Sequence, residues 1–361
     1  MGKNTVAACI HQDQTLTDGQ AVKLRLLEPM QAGSIVVPKN TLVAGTAKVQ
    51  GERLPRGVRG LLTGKRLKYE YLQEIRLRTG KPLLLIYQGR EMMLHNQRDR
   101  PYLVTEADMR ETLEYISNSS LYAYEQEMKQ GFITIEGGHR VGMAGQVILE
   151  DGHVKNLKYV SSVNVRMSHE VQGCADRIFP YLVQEKEICH TLLVSPPRCG
   201  KTTLLRDLIR QISDGNAWIS GRTVGVVDER SELGGCWRGV AQNHLGKRTD
   251  ILDGCPKAEG MMMLIRSMGP EVIAADEIGS PEDVHAMEYA MHCGCRILAT
   301  VHAGSMEELR RKPLLQQLVR KGSFERYVLL GNQKRVGQVQ GIYDERGSLL
   351  YREELPGEQA C

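Results

Sequence analysis

Residues Thr191 to Leu205 read TLLVSPPRCGKTTLL, and the fold turns on them. The short apolar run Leu192-Leu193-Val194 predicts a buried strand. It breaks at Ser195-Pro196-Pro197, and a helix is predicted to begin at Gly200-Lys201-Thr202-Thr203. Strand, glycine-containing loop, Lys-Thr and helix is the architecture of a phosphate-binding P-loop. Its chemistry is direct: loop and helix N-terminal N–H groups point at one spot, where partial positive charge gathers. The candidate cradle is Ser195, Pro196, Pro197, Arg198, Cys199, Gly200, Lys201, Thr202 and Thr203. Lys201 would add a full charge on the β- and γ-phosphates, and the Thr202 hydroxyl would help to hold Mg²⁺. The usual pattern opens with Gly, where this chain has Ser195. Gly-Lys-Thr alone is common by chance, so an ordinary turn before a helix stays open until the rest of the chain is read.

Three further apolar runs end in chemically loaded residues. Val224-Gly225-Val226-Val227 leads into Asp228-Glu229-Arg230, Val272-Ile273-Ala274-Ala275 into Asp276-Glu277, and Ile297 to Val301 into His302. Between Cys174 and about Gly331, predicted strands alternate with helices, the pattern of a parallel α/β sheet. Ligands bind outside the carboxyl ends of such strands, so all four stretches should converge on one sheet edge. That convergence lifts the P-loop reading above its chance level. Asp276 fits the Walker B acid that binds Mg²⁺, and Glu277 is placed to orient or deprotonate the attacking water. Glu229 is a second acidic candidate near the γ-phosphate. His302 is a candidate sensor of that phosphate. Each has a structural alternative: caps or salt bridges for Asp228 and Glu229, and a satisfied core histidine for His302. Arg198 is bulky for its loop. Either its backbone is strained at positive φ, or its guanidinium lies over the phosphates or toward a neighbouring subunit.

The remaining chain divides by pattern. The expected organisation is a β-rich segment over 1–56, a small α+β domain over 66–173, the P-loop core over 174–332, and a terminal hairpin and tail over 333–361. In the small domain, Thr105 is a candidate cap for a helix from Glu106 to Ile116, and Glu136 to His139 predicts a hairpin turn. In the core, Ser280-Pro281 with Asp283, and Ser305 with Glu308, are helix-start signals.

Composition narrows the class. A chain of 361 residues with 41% apolar and 25% charged residues is ordinary for globular proteins, and a formal charge of +4 argues for no polyanion. Only three Phe and two Trp make a base-stacking platform a poor expectation, so no nucleic acid is expected. Nine scattered cysteines suggest a reducing compartment rather than a disulfide framework. No apolar run approaches the length of a membrane span, so a cytoplasmic protein with at most peripheral membrane contact is expected.

Together, SPPRCGKTTLLRD, DERSELGGCWRG, LDGCPKAEGMMMLIRSMGPEVIAADEIGS and LATVHA closely resemble the stage III sporulation protein AA family, over about residues 57–356. That family is similar to the hexameric ATPases of type II and type IV secretion and of pilus motors. Their acidic Asp box, Walker B and His box match Asp228-Glu229, Asp276-Glu277 and His302 by position. Pilus motors usually have Gly-Glu where this chain has Asp276-Glu277. Those relatives also aim arginines at the phosphates, for which Arg140, Arg166, Arg230, Arg238 and Arg266 are candidates beside a plain surface role. The resemblance implies a RecA-like core, ATP and Mg²⁺ as cofactors, and a homo-hexameric ring. It further implies a motor on the mother-cell side of the inner membrane, docked on the channel proteins that link mother cell and forespore. A nucleotide-gated assembly platform with negligible turnover is the alternative. Separately, HQDQTLTDGQAVKLRLLEPM and TLVAGTAKVQGERL resemble part of the TraM-type proteins of conjugative transposons, which implies an appended fragment over residues 1–56.

Overall fold

The computed structural model describes residues 8–10, 21–26, 30–32, 35–37, 42–46, 56–64, 67–96, 98–116, 131–150, 152–197, 199–331 and 337–353. The chain divides into two compact units, Met1–Gly131 with Met143–Asn164, and Phe132–Gly142 with Val165–Cys361.

The first unit begins with short antiparallel ladders. Strands β1 (Ala8–Ile10), β2 (Ala21–Leu26) and β5 (Leu42–Thr46) pair in the order β1-β2-β5, while β3 (Met30–Ala32) pairs with β4 (Ile35–Val37). After the helix Arg56–Gly64 comes an antiparallel meander of β6 (Leu72–Arg78), β7 (Leu84–Tyr87) and β8 (Arg90–Met93). Its core is Ile75, Leu77, Leu83, Leu85 and Leu94, all essentially inaccessible to water. The helix Glu106–Ile116 starts at the expected threonine. The Asp108 N–H donates to Thr105 Oγ1 at 3.1 Å, and the Thr105 N–H donates back to Asp108 Oδ2 at 2.9 Å, a reciprocal cap.

Strands β9 (Phe132–Ile135), β10 (His139–Glu150) and β11 (His153–Arg166) follow, and β10 and β11 run through both units. Residues 132–142, the hairpin around Gly137-Gly138, belong to the unit that also holds the P-loop.

That second unit is built on one eight-stranded sheet. A small hairpin, β12 (Val183–Gln184) and β13 (Glu187–Ile188), leads into β14 (Thr191–Ser195). Then come β15 (Val224–Asp228), β16 (Thr249–Asp253), β17 (Val272–Ala275), β18 (Arg296–His302), β19 (Arg326–Gly331), β20 (Gln338–Asp344) and β21 (Leu349–Tyr351). The order is β16-β15-β17-β18-β14-β19-β20-β21. The pairs from β16 to β19 are parallel, and β20 and β21 add antiparallel strands at the edge.

Both faces of β14 are covered, as its unbroken apolar run requires. Leu193 packs with Leu204, Leu205, Leu208, Ile209 and Ile212 of the helix Lys201–Asp214. Its neighbours Leu192 and Val194 face the other way, toward Met261 and Leu264 of the helix Lys257–Ser267 and Ala286, Met287 and Ala290 of the helix Pro281–His292. The helix Lys257–Ser267 lies so close to β15 that a Cβ on Gly260 would sit 2.5 Å from Val227 Cγ1. Ser280 and Asp283 complete a full capping box at the start of the Pro281–His292 helix. The architecture is an α/β, RecA-like P-loop core preceded by smaller domains, as expected.

Candidate functional site

The parallel register fixes which residues meet at the carboxyl edge. Ser195 lies opposite His302, and Ala275, the last residue of β17, lies opposite Ala299. Lys201 and Thr202 open the helix that follows the loop. Gly200 precedes it with φ +84°, a left-handed conformation that only glycine adopts without strain. That helix has no side-chain cap at its N-terminus, so its first N–H groups are left for a ligand.

Five side chains converge here. The Lys201 ammonium, 7% exposed, donates to His302 Nδ1 at 2.9 Å. Burial pulls the Lys201 pKa down, against the attraction of Asp276 and Glu277. The same His302 Nδ1 also lies 3.3 Å from the Ser195 carbonyl. The ring's Nε2 lies 3.7 Å from Glu277 Oε1. Thr202 Oγ1 donates to Asp276 Oδ2 at 2.9 Å. Glu277 sits at φ +51°, left-handed for a residue with a Cβ, at a cost of about 1 kcal/mol or more. Its carboxylate is ion-paired with Arg230.

The remaining candidates are placed as follows. Ser195 is buried and its hydroxyl donates to the Pro196 carbonyl at 2.7 Å, while Cys199, also in the loop, is buried. Pro197 is exposed and Pro196 and Thr203 are half-buried. Arg198 lies outside the described residues. Glu229 is paired with Lys257 at the start of the next helix, so the salt-bridge alternative is what the geometry displays. Asp228 follows its capping alternative. Its carboxylate accepts the N–H groups of Glu232, Leu233 and Gly234 at 2.9, 3.0 and 2.8 Å. Burial nonetheless pushes its pKa up to about 6, against those three bonds. Among the arginines, Arg140 binds Glu232 at 2.5 Å with its guanidinium over the Phe132 ring, Arg238 lies over the Trp237 ring, and Arg266 is exposed.

Two residues that the sequence did not single out are central to this geometry. Arg206, buried in the P-loop helix, donates to the carbonyls of Leu233, Glu232 and His169 at 2.9, 2.7 and 3.2 Å. Thr300, in β18, bonds both Asp276 and Glu277.

The donor set suits magnesium with a nucleotide. A threonine hydroxyl and a carboxylate oxygen, side by side at a helix N-terminus, are hard oxygen donors of the kind that Mg²⁺ prefers. No group of three or more His, Cys, Asp or Glu side chains suited to a metal occurs among the described residues. A P-loop metal needs none, because phosphate oxygens and waters complete its shell.

Comparisons with known proteins agree with the architecture. Residues 48–350 match the family model described as Sporulation stage III, protein AA, and residues 6–69 match the model for Conjugative transposon, TraM. Stage III sporulation protein AA of Bacillus subtilis (strain 168) is 44% identical over 281 residues, covering 78% of this chain and 89% of that protein. Among solved structures, the Legionella pneumophila ATPase DotB aligns at TM-score 0.52 and 15% identity, covering 78% of each chain. The Yersinia pseudotuberculosis ATPase DotB aligns at TM-score 0.51 and 13% identity, covering 79% of this chain and 77% of that one. At such identities these two structures share the fold alone. No helix among the described residues is long and apolar enough to cross a membrane.

Proposed function

The chain belongs to the Sporulation stage III, protein AA family, and from that premise we propose that it is an ATP-hydrolysing motor ATPase. The observation that carries the reading is the meeting of Lys201, Thr202, Asp276, Glu277 and His302 at the carboxyl edge of one parallel sheet. Bound MgATP supplies the phosphoryl group transferred to water and the metal charge that neutralises it. Lys201 and the uncapped helix N-terminus hold the phosphates. The Thr202 hydroxyl and the Asp276 carboxylate hold the metal. Glu277 orients the attacking water and takes its proton. His302, bonded to Lys201 and near Glu277, reports whether Lys201 is engaged by phosphate. Glu229 acts through its pair with Lys257 rather than at the water.

The motor is proposed to work as a homo-hexameric ring on the mother-cell side of the inner membrane, held there by the channel proteins of the sporulation complex. The TraM-like segment is proposed to be an appended fragment outside this machinery. One observation favours a second reading, a nucleotide-gated platform with negligible turnover: the Glu277 carboxylate is tied up by Arg230.

Turnover and nucleotide binding in Lys201→Ala and Glu277→Gln separate these readings. A motor loses hydrolysis in both variants, and Glu277→Gln still binds ATP. Wild-type turnover in Lys201→Ala would sink the ATPase assignment. A Glu277→Gln chain indistinguishable from wild type would favour the platform.

A further inference from the structure

Thr300 occupies the interior of β18, between β17, which runs into Asp276, and β14, which enters the P-loop. Its neighbours Leu298, Ala299 and Val301 are apolar and buried, and Thr300 is itself 0% exposed. A hydroxyl there is costly unless both its donor and its acceptor capacity are used. Both are used, on the two residues to which metal binding and water activation are assigned. Thr300 Oγ1 donates to Asp276 Oδ1 at 2.5 Å and accepts the Glu277 N–H at 2.9 Å. The direction is forced, because an N–H only donates and the hydroxyl has a single proton to give.

Two consequences follow from this placement. The Asp276 carboxylate is gripped at both oxygens, Oδ2 by the hydroxyl of Thr202 and Oδ1 by that of Thr300, which fixes its plane. The left-handed backbone of Glu277 is also pinned on either side. Its own N–H goes to the Thr300 hydroxyl, and the Ile278 N–H goes to the Thr300 carbonyl at 2.9 Å.

We propose that Thr300 is a positioning residue of the hydrolysis site, setting the Asp276 carboxylate for the metal and the Glu277 backbone for the water. This rests on the assignment of Asp276 and Glu277 made above. Thr300 acts through those residues.

The test compares Thr300→Val, which keeps the shape and removes the hydroxyl, with Thr300→Ser, which keeps the hydroxyl, in the full chain. Three quantities are measured: ADP affinity with and without Mg²⁺, kcat and KM for ATP, and thermal unfolding. Loss of a residue that orients a metal ligand typically costs about 10- to 100-fold in metal affinity or activity. Thr300→Val should therefore lose about 10-fold of the Mg²⁺-dependent gain in ADP affinity and at least about 10-fold in kcat. Its metal-free ADP affinity should stay near wild type, and Thr300→Ser should restore both losses. Wild-type Mg²⁺ gain and kcat in Thr300→Val overturn the proposal. So does a serine variant as impaired as the valine, because the methyl group would then be what matters. Should Thr300→Val not fold, Thr300→Ala provides the same deletion, and failure of both to fold overturns the proposal in favour of a purely structural role. A wild-type chain that binds MgADP but turns over no ATP would sink the hydrolysis reading alone, while the Mg²⁺ gain still decides on Thr300.

Discussion

Replacing Asp228 by Asn should change how folding stability varies with pH, by an amount set by one buried carboxyl group. Asp228 is 1% exposed, and burial raises its pKa from 3.8 to about 6. The folded pKa lies above the unfolded one, so the folded state binds the proton more tightly. The stabilising contribution is complete below about pH 4 and is lost as pH rises through about 6. A shift of roughly two units, at 1.36 kcal/mol each, amounts to about 3 kcal/mol. Most of it, about 2–3 kcal/mol, falls between pH 4 and pH 7. Denaturant unfolding of the wild type and of Asp228→Asn across that range isolates this group, since other titrations cancel in the difference. The wild type should lose about 2–3 kcal/mol relative to the variant as pH rises. Parallel pH curves would refute the reasoning, and so would a difference of the opposite sign. The latter would mean that the N–H groups of Glu232, Leu233 and Gly234 outweigh desolvation.

Two other substitutions test the frame that carries the site. Arg206→Met strands three backbone carbonyls that now accept from the guanidinium, and should lower unfolding free energy by about 2–4 kcal/mol; a loss below about 1 kcal/mol in denaturant titration would contradict the role given to this side chain. Ser280→Ala removes half of a reciprocal cap and should cost about 1 kcal/mol with little effect on nucleotide affinity, which unfolding and binding assays read separately.

What the sequence discloses follows from where its signals are local. The run Leu192-Leu193-Val194 is apolar on both faces because helices cover both faces of β14, and that is visible without coordinates. Asp276, Glu277 and His302 stand out because each ends such a run. Thr300 does not, since a β-branched residue inside a strand passes for an ordinary strand former. Arg206 is hidden for a related reason: in LLRDLIRQ it falls where the polar face of an amphipathic helix would be, and only the incoming loop at Glu232-Leu233 makes that position interior. Edge strand β16, TDILD, is short and carries two aspartates, so no apolar run marks it. Glu229 is a candidate by position, and its pairing with Lys257, 28 residues on, has no signature in the sequence. Nothing in residues 132–142 themselves tells which unit the hairpin joins, because that depends on contacts such as the Gly137 N–H with Gln242, over a hundred residues away.

The P-loop helix also works as a strut. Its first residue is Lys201, and Arg206 follows five residues later, about 7.5 Å along the axis at 1.5 Å per residue. Arg206 holds the carbonyls of the segment whose amides Asp228 holds from the end of β15. A displacement of Glu232 or Leu233 would therefore act, through Arg206, on the same helix that carries Lys201. Mechanical coupling between the acidic loop and the lysine thus requires no intervening chain of small side-chain rearrangements. It requires one helix, gripped at Arg206 and carrying Lys201 at its first position, five residues away.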